Sequence, residues 1–287
     1  MVNDNKFTIF AFMIDKKENY RGQFKFIDTE EKAYFLGFAF GDGCNSYNSK
    51  YKFTIASVNT DVEVFLKFGE IFPFFKICTY PSYPKLIYLV NSEKNLALDF
   101  KDLGLVQNKK LHDLEKKFHI PKIDSKLLHH FVRGFFDADG AVYVPTRVRS
   151  RNNVKVDIGL GTENFCLELR KIFKEAKLNF TYTVRDKKAG NGKLYPSYIL
   201  HTSAREDSLK FAEYIYKDAT IFLKRKHEKF FKYVKSELQL KSEKFPKCPY
   251  CQGKSTSEGT RGKKQRLHCT SCNKNYSVSL PLTQETV

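Results

Sequence analysis

Two aspartates, Asp42 and Asp139, each close an apolar stretch and each precede a glycine: Tyr34-Phe-Leu-Gly-Phe-Ala-Phe-Gly-Asp-Gly43 and Phe131-Val-Arg-Gly-Phe-Phe-Asp-Ala-Asp-Gly140. Carboxylate oxygens are hard ligands, so two brought together favour Mg²⁺ over Zn²⁺. Two such groups at helix C-termini face the unfavourable end of the dipole and repel, and they resist ionising together unless a cation intervenes. A second group has different chemistry: Cys248-Pro-Tyr-Cys251, seventeen residues, then Cys269-Thr-Ser-Cys272. This spacing makes two knuckles of a tetrahedral thiolate site, and four thiolates with no water position call for structural Zn²⁺. His268 is adjacent, but the four cysteines fill the shell. Cys44, Cys78 and Cys166 are scattered, a usage that fits a reducing compartment and argues against disulfides.

The elements that hold the aspartates must come in two copies. Each apolar helix is followed by a turn-interrupted β-rich region, Cys44 to Val58 and Ala141 to Leu160, with hairpin turns expected at Asn48-Ser49 and Asn152-Asn153. A helix follows each pair of strands. The first is expected to start at Thr60, with Glu63 completing a capping box; the second starts near Thr162 and carries Phe165, Leu169, Ile172, Phe173 and Ala176 at helical spacing. A later strand, Leu86 to Ser92 or Tyr198 to Ser203, leads into Glu93 to Leu103 or Ala204 to Tyr216. Each half is thus one αββαββα unit, and two units make a pseudo-twofold domain.

Within each leading helix small residues recur four apart, Gly37 with Gly41 and Gly134 with Ala138. They clear one face and let two backbones approach, so each helix is the natural partner of the other. That pairing brings Asp42 and Asp139 together at one end of the seam. Gly43 and Gly140 are expected to stop the helices in the left-handed conformation. Asp-Gly alone is a common turn pair; its repetition after matched helices gives it weight.

Fifty Lys and Arg against 32 Asp and Glu leave a formal charge of +18, spread along the whole length, which points to a polyanion. No apolar run is long enough to span a bilayer, and no basic amphipathic helix stands apart as an anchor. Met1 to Phe12 lacks the features of a secretory signal, so the expected location is intracellular, in cytoplasm or nucleoid. From Lys241 onward the chain is basic and poor in apolar residues, so metal binding must drive folding there.

With these motifs the sequence resembles the LAGLIDADG homing endonucleases in their single-chain, two-motif form, over roughly Asp28 to Lys235. The resemblance implies an α+β fold: two pseudo-twofold αββαββα repeats forming a saddle-shaped DNA-binding sheet, plus a small C-terminal zinc ribbon. It divides the chain into an N-terminal extension (1–27), repeat 1 (28–123), repeat 2 (124–235), a linker (236–246), the ribbon (247–280) and a tail (281–287). It implies that Asp42 and Asp139 coordinate Mg²⁺ or Mn²⁺, with the carbonyls of Gly41 and Ala138 as further ligands. It also implies hydrolysis across the minor groove with short 3′ overhangs, a long asymmetric double-stranded target, a monomer, and a tie to mobile DNA. Phe40 departs from the acidic residue of the motif, whereas Asp137 keeps it. A basic side chain near each scissile phosphate is expected, and the stretches Asn108 to Leu111 and Phe222 to Lys226 offer Lys109 and Lys224.

For the DNA-reading surface, Arg147, Arg149 and Arg151 alternate along a strand, and Lys155 alternates across the turn. Lys50, Lys52, Arg185, Lys187 and Lys188 extend that surface, with phosphate contact the primary assignment. In the ribbon, Arg261, Lys263, Lys264 and Arg266 cluster between the knuckles and favour DNA contact over protein docking. Two rival functions stay open at this point: a DNA-binding regulator on the same scaffold that does not cut, and an intron maturase that binds RNA. An intein is disfavoured, because no splicing nucleophile or terminal His-Asn pair is present.

Overall fold

The computed structural model describes residues 18–48, 51–105, 118–144, 154–188, 192, 194–231, 246–253, 255–261 and 264–279. The chain divides into two compact units, Met1–Phe230 and Phe231–Val287.

The first unit holds both repeats. Repeat 1 runs α1 (Glu30–Asp42), β1 (Gly43–Ser46), β2 (Lys52–Val58), α2 (Val62–Ile71), β3 (Lys76–Tyr80), β4 (Tyr83–Asn91) and α3 (Lys94–Asp102). Repeat 2 runs α4 (Leu128–Asp139), β5 (Gly140–Tyr143), β6 (Lys155–Leu160), α5 (Glu163–Glu175), β7 (Thr181–Lys188), β8 (Leu194–Thr202) and α6 (Arg205–Tyr216). Both sheets are antiparallel with the same order, β1-β2-β4-β3 and β5-β6-β8-β7. Alternation in β2 and β6 buries Phe53 and Ile55, or Val156 and Ile158, under the helices and turns the intervening residues outward.

Local chemistry explains most of the boundaries. Thr29 caps α1 by accepting from the Lys32 amide at 3.3 Å, and Glu30 and Glu31 complement the dipole of the first turn. α5 starts where the sequence predicts, and Thr162 caps it through the Phe165 amide. The box expected at Thr60 does not form. A 3-10 turn, Asn59–Asp61, precedes α2 instead, and α2 has no side-chain cap. Asp61, which could have capped it, is buried and bound elsewhere.

The repeat 1 core is aromatic: the rings of Phe24, Phe35, Phe53, Phe74, Phe75 and Phe100 are all essentially buried and meet at centroid distances of 4.5–6.3 Å. Phe24 comes from the segment before residue 28, and Tyr20 ties that segment to α3 by donating its hydroxyl to Asp99. Residues expected to form an extension therefore complete the first core.

In the second unit β9 (Ser255–Arg261), β10 (Lys264–Cys269) and β11 (Asn275–Ser279) form an antiparallel sheet with β10 central. Among its described residues only Cys248, Leu267 and Cys269 are buried. That is too little apolar burial to specify a fold without a staple.

Candidate active site and nucleic-acid interface

Along the seam between α1 and α4 the two backbones touch, and glycine makes it possible. A Cβ on Gly37 would lie 1.9 Å from the Phe131 carbonyl oxygen, and one on Gly134 would lie 2.0 Å from that of Tyr34. One turn further on, a Cβ on Gly41 would meet the Ala138 methyl at 2.3 Å and Asp139 Oδ2 at 3.4 Å. Both helices run to their aspartates, so Asp42 and Asp139 share one end of the seam. Asp139 is exposed, Asp42 half-buried.

The glycines after the aspartates act differently from the expectation. Gly43 (φ −78°, ψ 150°) and Gly140 (φ −83°, ψ 160°) are extended and not left-handed. Their value is spatial: a Cβ would stand 2.4 Å from Ala39 O at Gly43, and 2.1 Å from the Phe136 ring at Gly140. Each strand can then leave its helix end directly.

The groups behind the aspartates come mainly from repeat 2. Asp137 is fully buried; its Oδ2 accepts from the Tyr34 hydroxyl of α1 at 2.9 Å and from the Leu223 amide at 2.8 Å. Burial pushes its carboxyl up to about 6. Lys226, also buried, donates to the carbonyls of Phe136, Asp137 and Gly140 at 2.6–2.7 Å; that of Ala138 is not among them. Burial lowers Lys226 to about 8, against the fields of Asp137, Asp42 and Asp139, which favour its charge. The cation that reaches the α4 carbonyls is Lys226; Lys224 is exposed, with Glu63 3.9 Å away. Between them Arg225 grips Asp61 with two bonds, 2.7 and 2.9 Å, and Ser57 donates to the same carboxylate. Asp42 adds to the negative field on Arg225. Helical residues 224–231 explain the selection, since two residues turn a helix by more than half a circle. A run of five apolar and basic residues does not disclose that phase.

The other end of the seam is locked by Arg133, buried in α4. It donates to Glu30 of α1 at 2.6 Å and to the carbonyls of Ile215 and Ile221. Glu30 also accepts from the Thr220 amide and hydroxyl.

Of the residues expected to meet DNA, Lys52 lies on the outward face of β2, and Arg185 and Lys187 on that of β7. Lys188 alternates to the opposite face. Lys155 bridges Asp157 at 2.9 Å. Lys187 and Asp139 both line a cleft of about 390 Å³, together with Gly41, Gly159, Tyr195 and Ser197. Lys50, Lys109, Arg147, Arg149, Arg151 and Lys263 lie outside the described residues.

The donor set at the aspartates fits a hard divalent cation: two carboxylate-bearing helix ends at one seam, with Asp139 leaning over side-chain-free Gly41. In the second unit the four cysteine sulfurs lie within 4.8 Å of one another, with Cys248–Cys272 at 3.6 Å and Cys251–Cys269 at 3.5 Å. A tetrahedron with Zn–S bonds of about 2.3 Å has edges of about 3.8 Å, so this set fits Zn²⁺. Both knuckles aim amides at sulfur, from Tyr250 to Cys248 and from Ser271 and Cys272 to Cys269. His268 bonds Asn275 at 2.7 Å and stands outside the set. Lys264 and Arg266 are exposed on β10, and Arg266 has Glu258 only 3.9 Å away; Arg261 ends β9.

Residues 127–216 match the family model of the LAGLIDADG-like domain. That stretch holds α4 to α6 of repeat 2, and repeat 1 has the same αββαββα order and the same antiparallel strand order. Similar solved structures include the LAGLIDADG homing endonuclease I-GzeII in complex with its DNA target (14% identity over 74% of this chain and 91% of that one, TM-score 0.49). The LAGLIDADG meganuclease I-CpaMI bound to uncleaved DNA is 14% identical over 76% and 95%, with TM-score 0.47. The N-terminal LAGLIDADG domain of WhiA is 17% identical over 69% and 86%, with TM-score 0.40. No curated protein matches the chain. No helix among the described residues is long and apolar enough to cross a membrane.

Proposed function

We propose that this protein is a divalent-metal-dependent endonuclease that cuts both strands of a long, asymmetric DNA site, with one aspartate of each repeat serving one strand. The observation that carries the reading is the convergence of Asp42 and Asp139 at the end of a glycine-packed seam in a chain of charge +18. Bound divalent cations supply Lewis-acid activation of water and neutralise charge on the phosphate. Asp42 and Asp139 hold them, with the carbonyls of Gly41 and Ala138 in reach of the same end. Lys226 fixes the α4 terminus by taking its carbonyls and adds positive potential where negative charge develops. Arg225, aimed by Asp61, and Lys187, which lines the same cleft as Asp139, are exposed cations suited to the phosphates. The zinc ribbon is a stabilised module that extends the contact through Lys264 and Arg266.

Incubation with a library of long duplexes and Mg²⁺ or Mn²⁺ should yield double-strand breaks. Asp42→Asn or Asp139→Asn should abolish them while binding persists. A wild-type protein that binds a defined duplex and leaves it intact is a regulator. One that restores splicing of an intron without cutting DNA is a maturase.

A further inference from the structure

The two sheets expose different chemistry at matched positions. Gly43 pairs with Ile55 and Gly140 with Ile158, so the strands can be superposed residue by residue from the helix ends. Next to these anchors, the outward pair Thr54–Val90 in repeat 1 corresponds to Asp157–His201 in repeat 2. One step along, Ala56–Tyr88 corresponds to Gly159–Ile199. Repeat 1 continues with Val58–Leu86, and Val58 is 44% exposed. Tyr80, Tyr83 and Tyr88 wall a groove of about 370 Å³ on this face, with Lys52 and Thr54 beside them. Alternation accounts for the buried partners of these residues, Phe53, Ile55, Ile87 and Leu89, but not for an outward band of methyl groups and rings.

Charge identifies the occupant. Strands β1 to β4 contain Lys52, Lys76 and Lys85 and no aspartate or glutamate, so the band is apolar within a positive frame. A polyanion that also offers apolar groups at regular spacing fits it. In the major groove of duplex DNA, thymine alone presents a methyl group, and apolar side chains are its natural contacts. The matched face of repeat 2 also carries Ile199 and Tyr195, but at the position of Thr54–Val90 it sets the Asp157 carboxylate, bridged by Lys155, and His201.

We infer that repeat 1 reads a thymine-rich half-site by contact with thymine methyls, whereas repeat 2 reads its half without them. The inference rests on the DNA-binding reading above and adds to it the base composition of one half-site and the residues that select it.

The test uses the full chain and a random duplex library, with bound sequences selected in the absence of Mg²⁺. The selected sites should be thymine-rich in one half. Replacing thymine by deoxyuridine there removes methyls and nothing else, and should weaken binding about fourfold per contacted methyl. The same replacement in the other half should leave affinity unchanged. The double substitution Thr54→Asp with Val90→His copies repeat 2 and should erase the deoxyuridine effect. Equal composition in both halves, or indifference to deoxyuridine in both, overturns the inference while leaving DNA binding intact. Failure to select any duplex overturns the underlying reading instead.

Discussion

Repeat 1 and repeat 2 share a backbone and differ in what they bury. At the motif position occupied by Arg133 in α4, α1 has Leu36; where α4 has Asp137, α1 has Phe40. Phe40 packs against Phe118, Phe131 and Phe165, while Asp137 reaches across the seam to Tyr34. Arg133 likewise crosses to Glu30. Shared topology needs only what the backbone demands, namely glycine where helices touch and alternation where strands have one face covered. The polar groups that orient the site can then be concentrated in one half, with the other half serving as an aromatic base.

That contrast can be broken most severely where the halves are alike. Gly37→Leu and Gly134→Leu both force a side chain into a facing carbonyl, and each should cost more than about 4 kcal/mol in urea unfolding, enough to abolish the fold. A large difference between the two would mean that the seam is not a shared frame.

The next effect separates the halves. Arg133→Ala leaves Glu30 and two carbonyls without their guanidinium partner and should destabilise by about 3–5 kcal/mol. Leu36→Met, a volume-conserving change in the apolar counterpart, should cost less than about 1.5 kcal/mol.

Acidity sharpens the comparison further. Asp137 is raised from 3.8 to about 6 by burial, so the folded protein keeps this proton to higher pH than the unfolded chain. The group therefore favours folding fully below its unfolded value, and the advantage is lost as pH rises through 6. Asp137→Asn should remove up to about 3 kcal/mol of pH dependence between pH 4 and 6. Phe40→Leu, at the matched position, should leave the slope unchanged.

The smallest effect on the repeats should come from chelating zinc. It should unfold residues 246–279 by circular dichroism and leave the melting of the repeat unit within about 1 °C. Coincident loss of both would contradict two independent units.

The repeats, the seam, the meeting of the two aspartates at its end and the clustering of the four cysteines were legible in the sequence because each rests on short-range spacing: small residues four apart, Asp-Gly at the same place twice, and Cys-x2-Cys twice. What escaped depends on contacts between distant segments. The Arg133–Glu30 and Asp137–Tyr34 bonds join different repeats, so no local pattern announces them. That Lys226 reaches the α4 carbonyls while Lys224 faces solvent depends on the phase of a helix begun at residue 224. Asp61, at the N-cap of α2, holds Arg225, 164 residues away, and no amide of its own helix. The cleft joining Lys187 to Asp139 depends on the β7–β8 register, which the sequence does not disclose.

The most direct test of the shared site is strand-resolved cleavage of one labelled duplex by the wild type, Asp42→Asn and Asp139→Asn, with Mg²⁺ present and binding matched. The account predicts that the wild type cuts both strands and that neither variant makes a double-strand break. A variant that still cuts both strands at the wild-type rate would contradict the central claim that both aspartates build the centre.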